Sequence, residues 1–194
     1  MKKAIIALAA MAVSTGALAG PSWTYVDLGY VTGNGSSDED TDGVALRGSF
    51  GFGDLWHIQA GLVDAEVQGG KDSGGTDLTS YELRGGIHPA VTDTTDFVLD
   101  IGYLSNEEKE TGTKVEPSQF DIRTGVRSNI GALELRSFIA LAFTDNDLSG
   151  AATSKVREIQ YSIGGQYNFS DAWSVGIDTR LDNSDNTSDI YVRW

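Results

Sequence analysis

Apolar and polar residues alternate one for one in segment after segment of this chain. The final stretch shows the pattern plainly: Ile190, Val192 and Trp194 are apolar, and Asp189, Tyr191 and Arg193 between them are polar or half polar. A period of two is the signature of a strand with different surroundings on its two faces. Similar alternation recurs over about 23–32, 43–52, 56–63, 78–88, 96–104, 118–128, 133–144, 156–168, 173–181 and 188–194. The expected fold is therefore all-β, with about ten strands. An eight-strand count follows only if one hairpin, such as the first, is misread.

The first residues say where such a chain goes. Lys2 and Lys3 precede an apolar run from Ala4 to Val13, and Ala17-Leu18-Ala19 stands before Gly20. Charged start, short apolar core and A-x-A site together read as a secretory signal peptide cleaved near Ala19. The run is too short to cross a bilayer as a helix. Residues 20–194 then form one domain. Nothing later in the chain is apolar enough for a membrane helix, so any spanning must be done by strands. With no cysteine, an exported chain draws its stability from the ladder and not from disulfides.

Two features favour a closed antiparallel up-and-down transmembrane β-barrel over a soluble sandwich, which also alternates. Connections after even-numbered segments are short (53–55, 89–95, 129–132, 169–172). Those after odd-numbered ones are longer and polar (33–42, 64–77, 105–117, 145–155, 182–187), as periplasmic turns and external loops should be. Aromatic residues also gather at segment ends. Phe52, Trp56, Phe97, Tyr167, Trp173 and Trp194 mark one border, and Tyr30, Tyr81, Tyr103, Phe120, Phe143 and Tyr161 the other. The more apolar parity, holding Leu99, Ile139 and Ile177, should face lipid.

The other parity is charged. It carries Asp27, Glu82, Asp100, Asp121, Glu134, Glu158, Asp178 and Asp189 against Arg47, Arg84, Arg123, Arg127, Arg136, Arg180 and Arg193. Near balance, with every base an arginine suited to bidentate pairing, predicts a salt-bridged and largely filled lumen. A barrel this small is narrow enough for side chains to cross. The alternative is a narrow ion path along the arginines.

Removing Lys2 and Lys3 from 14 bases against 28 acids leaves a net charge of −16, which disfavours nucleic acid as a partner. Much of the surplus acid falls in the expected external loops. Asp38, Glu39, Asp40 and Asp42 form one such group, with oxygen ligands of the type that hold Ca²⁺ or Mg²⁺. Their spacing is not that of an EF-hand, so the group reads first as a solvated acidic loop. Divalent ions shared with lipopolysaccharide phosphates are a third reading.

Catalysis and cofactors find little purchase. His57 and His88 are the only histidines, both on the inward parity near the short-turn end. No serine stands out as their nucleophile, and they read as packing or hydrogen-bonding residues of the lumen. The glycines follow strands and loops, not a phosphate-binding pattern. No enzymatic activity and no cofactor are expected.

A terminal strand ending on an aromatic, as Ile190-Tyr191-Val192-Arg193-Trp194 does, resembles the assembly signal of bacterial outer-membrane barrels. The resemblance implies the outer membrane as destination and the barrel-assembly machinery as a partner. Trp23-Thr24-Tyr25-Val26-Asp27-Leu28-Gly29-Tyr30-Val31 followed by an acidic loop and Asp42-Gly43-Val44-Ala45-Leu46-Arg47-Gly48-Ser49 is similar to the outer-membrane proteins regulated by diffusible signal factor. That family implies a small outer-membrane barrel and transfers no functional residues. The expected role is structural or interactive at the cell surface, with a narrow channel as the alternative and a membrane-embedded hydrolase behind it.

Overall fold

The computed structural model describes residues 21–34, 40–68, 75–110, 113–115, 117–146, 154–182 and 186–194. Ten long strands make the wall: β1 (Tyr25–Asn34), β2 (Asp40–Phe52), β3 (Trp56–Gln68), β4 (Thr76–Ile87), β6 (Thr95–Glu110), β8 (Ser118–Ile130), β9 (Leu133–Asn146), β10 (Ser154–Asn168), β11 (Ser174–Leu181) and β12 (Asn186–Arg193). Two short pieces, β5 (Ala90–Thr92) and β7 (Thr113–Val115), pair with β6 beyond the wall proper. Each wall strand pairs antiparallel with its sequence neighbour. β12 returns to β1 with Asp27 opposite Arg193 and Asn34 opposite Asn186. The sheet is thus a closed up-and-down barrel of ten strands with no free edge, which removes the eight-strand alternative.

The two tightest turns need a left-handed residue, and glycine supplies it at Gly53 (φ 62°) and Gly131 (φ 63°). Both lie at the end that also carries Trp23 and Trp194, the short-turn end.

Side-chain direction follows the parity rule. Leu99, Ile139 and Ile177 stand 40%, 41% and 49% exposed on the outer surface, while Asp100 is fully buried in the lumen. The outward apolar residues form a continuous belt, bounded below by Phe52, Trp56, Phe97, Tyr167 and Trp173 and above by Tyr30, Tyr81, Tyr103, Phe120 and Tyr161, all exposed. At the lower border Trp173 and Trp194 pack with ring centres 5.7 Å apart.

One expectation is corrected. Much of what the polar composition marks as external loop is strand. β2 begins at Asp40, β3 runs on to Gln68, β4 starts at Thr76, and β6 continues to Glu110. Above the belt a strand no longer needs an apolar face, because ladder hydrogen bonds to its neighbours still satisfy its backbone. Alternating hydrophobicity therefore finds the membrane-spanning portion of each strand and stops there.

Candidate functional site

The lumen is where the charged parity converges, and its chemistry is built from cross-strand pairs. On β12, Arg193 grips Asp27 of β1 with both Nε and Nη2, at 2.6 and 2.7 Å. On β4, Arg84 lies between two acids: it donates to Asp121 of β8 at 2.6 and 3.0 Å and to Glu82 at 2.7 and 2.9 Å. Arg136 of β9 spans to Asp178 of β11 with two bonds of 2.7 Å and touches Glu134 at 3.3 Å. Arg127 of β8 holds the same Glu134 at 2.8–3.0 Å. Arg123 donates to Asp100 at 2.9 Å and to Gln59 across the barrel at 3.3 Å. Arg47 pairs with Asp189, and the Tyr191 hydroxyl meets Arg136 and Gln166.

Small residues on the wall make room for these groups. A Cβ at Gly102 would stand 2.7 Å from the Arg84 guanidinium, and one at Gly176 would collide with the Tyr191 ring. Alternating glycines on the inward face are thus part of the charge layer.

Thirteen of the fifteen charged residues expected to face the lumen form ion pairs there: Asp27, Arg47, Glu82, Arg84, Asp100, Asp121, Arg123, Arg127, Glu134, Arg136, Asp178, Asp189 and Arg193. The remaining two, Glu158 and Arg180, form no ion pair with a described residue. They sit too far apart along β10 and β11, with Arg180 opposite Ser162 in register and Glu158 four residues beyond that point. Arg180 is exposed toward the outer mouth.

At the short-turn end the lumen holds a residue the sequence pattern did not single out. Trp23 lies between the two histidines, its ring centre 4.2 Å from that of His57 and 4.3 Å from that of His88, at interplanar angles of 27° and 15°. The Arg127 guanidinium sits 4.2 Å from the same ring, within cation–π range. Trp23 Nε1 donates to Asp96 at 2.7 Å, and Arg127 donates to the Ser22 carbonyl at 2.9 Å. His57 Nε2 is 2.8 Å from Asp100, and the His88 Nε2 is 3.2 Å from the Trp56 carbonyl oxygen. Burial holds the imidazole of His88, in the turn after β4, below its usual range. The signal for Trp23 was its parity, shared with Tyr25 and Asp27.

Above Trp23 the pairs enclose a cavity of about 360 Å³, whose wall reaches from Trp23 and Tyr25 up to Asn106, Gln119, Arg180 and Thr187.

The acidic groups lie elsewhere. Asp38 and Glu39 fall outside the described residues. Asp40 and Asp42 belong to β2, and Asp42 accepts a 2.7 Å hydrogen bond from Tyr30 on the outer face. Asp42, Glu66 and Asp77 share one register row across β2, β3 and β4, above the upper aromatic border. Among the described residues no group of three or more acids or histidines is disposed to hold a metal ion.

No protein-family model and no curated protein matches the chain. Solved structures do. An outer-membrane channel from Pseudomonas putida F1 superposes with a TM-score of 0.60 at 8% identity, over 89% of this chain and 95% of that one. The NanC porin superposes with a TM-score of 0.54 at 16% identity, over 86% and 98%. At such identities the likeness is one of fold. It bears out the small outer-membrane barrel and leaves the narrower kinship with the diffusible-signal-factor-regulated proteins unconfirmed. The chain has the fold of small outer-membrane β-barrel channels.

Proposed function

We propose that this protein is an integral outer-membrane barrel whose lumen is shut in its resting state, with a structural or interactive role at the cell surface. The observation that carries this is the lining of the bore by arginine–carboxylate pairs that tie neighbouring and next-but-one strands together, above a layer in which Trp23, His57 and Arg127 are buried. Separating the pairs would leave buried charges without partners. The apolar belt between two aromatic borders fixes the membrane depth, and the prolonged acidic strand ends stand above it. In this reading the signal peptide is removed near Ala19 and the strand ending at Trp194 is handed to the barrel-assembly machinery. The outward carboxylates meet lipopolysaccharide phosphates through shared divalent cations. The histidines are structural, and assays of lipid and peptide hydrolysis on the purified barrel are expected to give no turnover.

A second reading, a narrow channel for ions or small solutes, is favoured by the 360 Å³ cavity in the upper lumen. Recordings in planar bilayers separate the two. The unaltered protein is expected to give no resolved steps at moderate voltage. Steady unitary currents from every inserted barrel would overturn the shut-lumen reading.

A further inference from the structure

The seam between β1 and β12 ends at Val26, whose N–H donates to the Trp194 carbonyl at 2.8 Å and whose own carbonyl accepts from the Trp194 N–H at 3.0 Å. The β1–β2 ladder likewise starts at Tyr25. Residues before that point leave the wall. They turn into the bore, where Pro21 and Trp23 are buried. The layer they complete is closely packed: His57 is 1% exposed, Val98 0%, Arg127 2% and Trp23 itself 7%. Trp23 is also the floor of the cavity above it.

What holds Trp23 differs from what holds its neighbours. His57, Val98 and Arg127 are fixed by wall strands, and Arg127 is tied to Glu134. Trp23 is fixed by stacking, by one bond to Asp96 and by the grip of Arg127 on Ser22. It can therefore leave while the rest of its layer stays in place. The space it vacates would join the cavity to the short-turn mouth.

The solute such a path would favour follows from the cavity wall. Seven arginines and five acids line it. Asp100 and Glu134, which complete the pairing, lie behind their arginines, and Arg180 stands exposed at the mouth without an ion-pair partner among the described residues. Although the lumen as a whole is near balance, the groups that face the cavity are seven guanidiniums against five carboxylates, and this surface is the one an entering ion meets. We infer that the barrel is a latent channel for small anions, plugged at its periplasmic end by Trp23 from its own N-terminal segment. The inference rests on the shut-lumen reading above.

The test compares the full-length mature barrel, refolded and reconstituted in planar bilayers, with its Trp23→Gly variant. Each is first checked for the gel shift between unheated and boiled samples. The unaltered barrel is expected to stay closed. Trp23→Gly is expected to show resolved openings with at least a tenfold rise in mean current. In a KCl gradient its reversal potential should take the sign of chloride selectivity. Folded Trp23→Gly barrels as silent as the parent would sink the plug and leave the shut lumen standing. Conductance in the parent would instead sink the shut lumen. A reversal potential of the opposite sign would overturn the choice of anions. If Trp23→Gly does not fold, Asp96→Ala takes its place, because it keeps the ring and removes its anchor. Intermittent openings are then expected, and their absence overturns the plug.

Discussion

Replacing Arg84 with methionine is expected to destabilise the barrel by about 3–5 kcal/mol, the usual cost of removing one member of a buried ion pair. Arg84 is the sharpest case in the lumen because its guanidinium is, among the described residues, the one ion-pair partner of both Glu82 and Asp121, whereas Glu134 beside Arg136 is also held by Arg127. Four hydrogen bonds of 2.6–3.0 Å run from it to Asp121 and Glu82. Methionine fills a similar volume over Gly102 and leaves both acids facing each other with no cation between them. Urea titration in detergent micelles, followed by the fraction of heat-shiftable barrel on a gel, reads the loss. The triple variant Arg84→Met, Glu82→Gln, Asp121→Asn should recover most of it, since apolar and neutral groups need no counter-charge. If the single variant and the triple variant are equally weak, packing and not charge is what Arg84 supplies.

The second large effect lies on the opposite face. Ile139→Arg is expected to cost about 2–4 kcal/mol, the range for an arginine on the lipid face near the bilayer midplane. Ile139 points outward on β9, midway between Leu133 near the lower border and Phe143 at the upper one. The control is Ile130→Arg beside the Gly131 turn, 64% exposed, where an arginine reaches the interface and the cost falls to about 0–1 kcal/mol. Unfolding from phospholipid vesicles measures both. Equal costs at the two positions would mean that the belt does not lie in hydrocarbon, whereas a soluble barrel would tolerate either change on its surface.

Most of the wall was legible because a lipid-facing strand has only one way to be right. Leu99 beside Asp100 and Ile177 beside Asp178 fix direction at once, and the turn at Asn129–Ala132 fixes where the chain reverses. The pairing of Arg127 with Glu134 was legible as chemistry but not as geometry, since parity says which residues share the lumen and not which meet. That is why Glu158 and Arg180 joined an expected network they do not enter. The strand ends beyond Val63 and Leu104 were hidden for a different reason: both faces of a strand outside the bilayer touch water, so alternation vanishes while the ladder persists. Trp23 was hidden by its chemistry. An aromatic at a strand end invites placement in the interfacial girdle, and only its odd number, shared with Tyr25 and Asp27, points it inward between His57 and His88.

The meeting of β1 with β12 brings together the first and the last strand of the wall, Asp27 with Arg193. No ribosome can deliver that contact until the last wall strand has been made, and every product lacking it carries two unsatisfied margins prone to stick to other chains. Closure across such a distance is slow. The molecule must therefore be kept apart from its copies during transit, and a lesion in β12 forfeits the work of all the strands made before it.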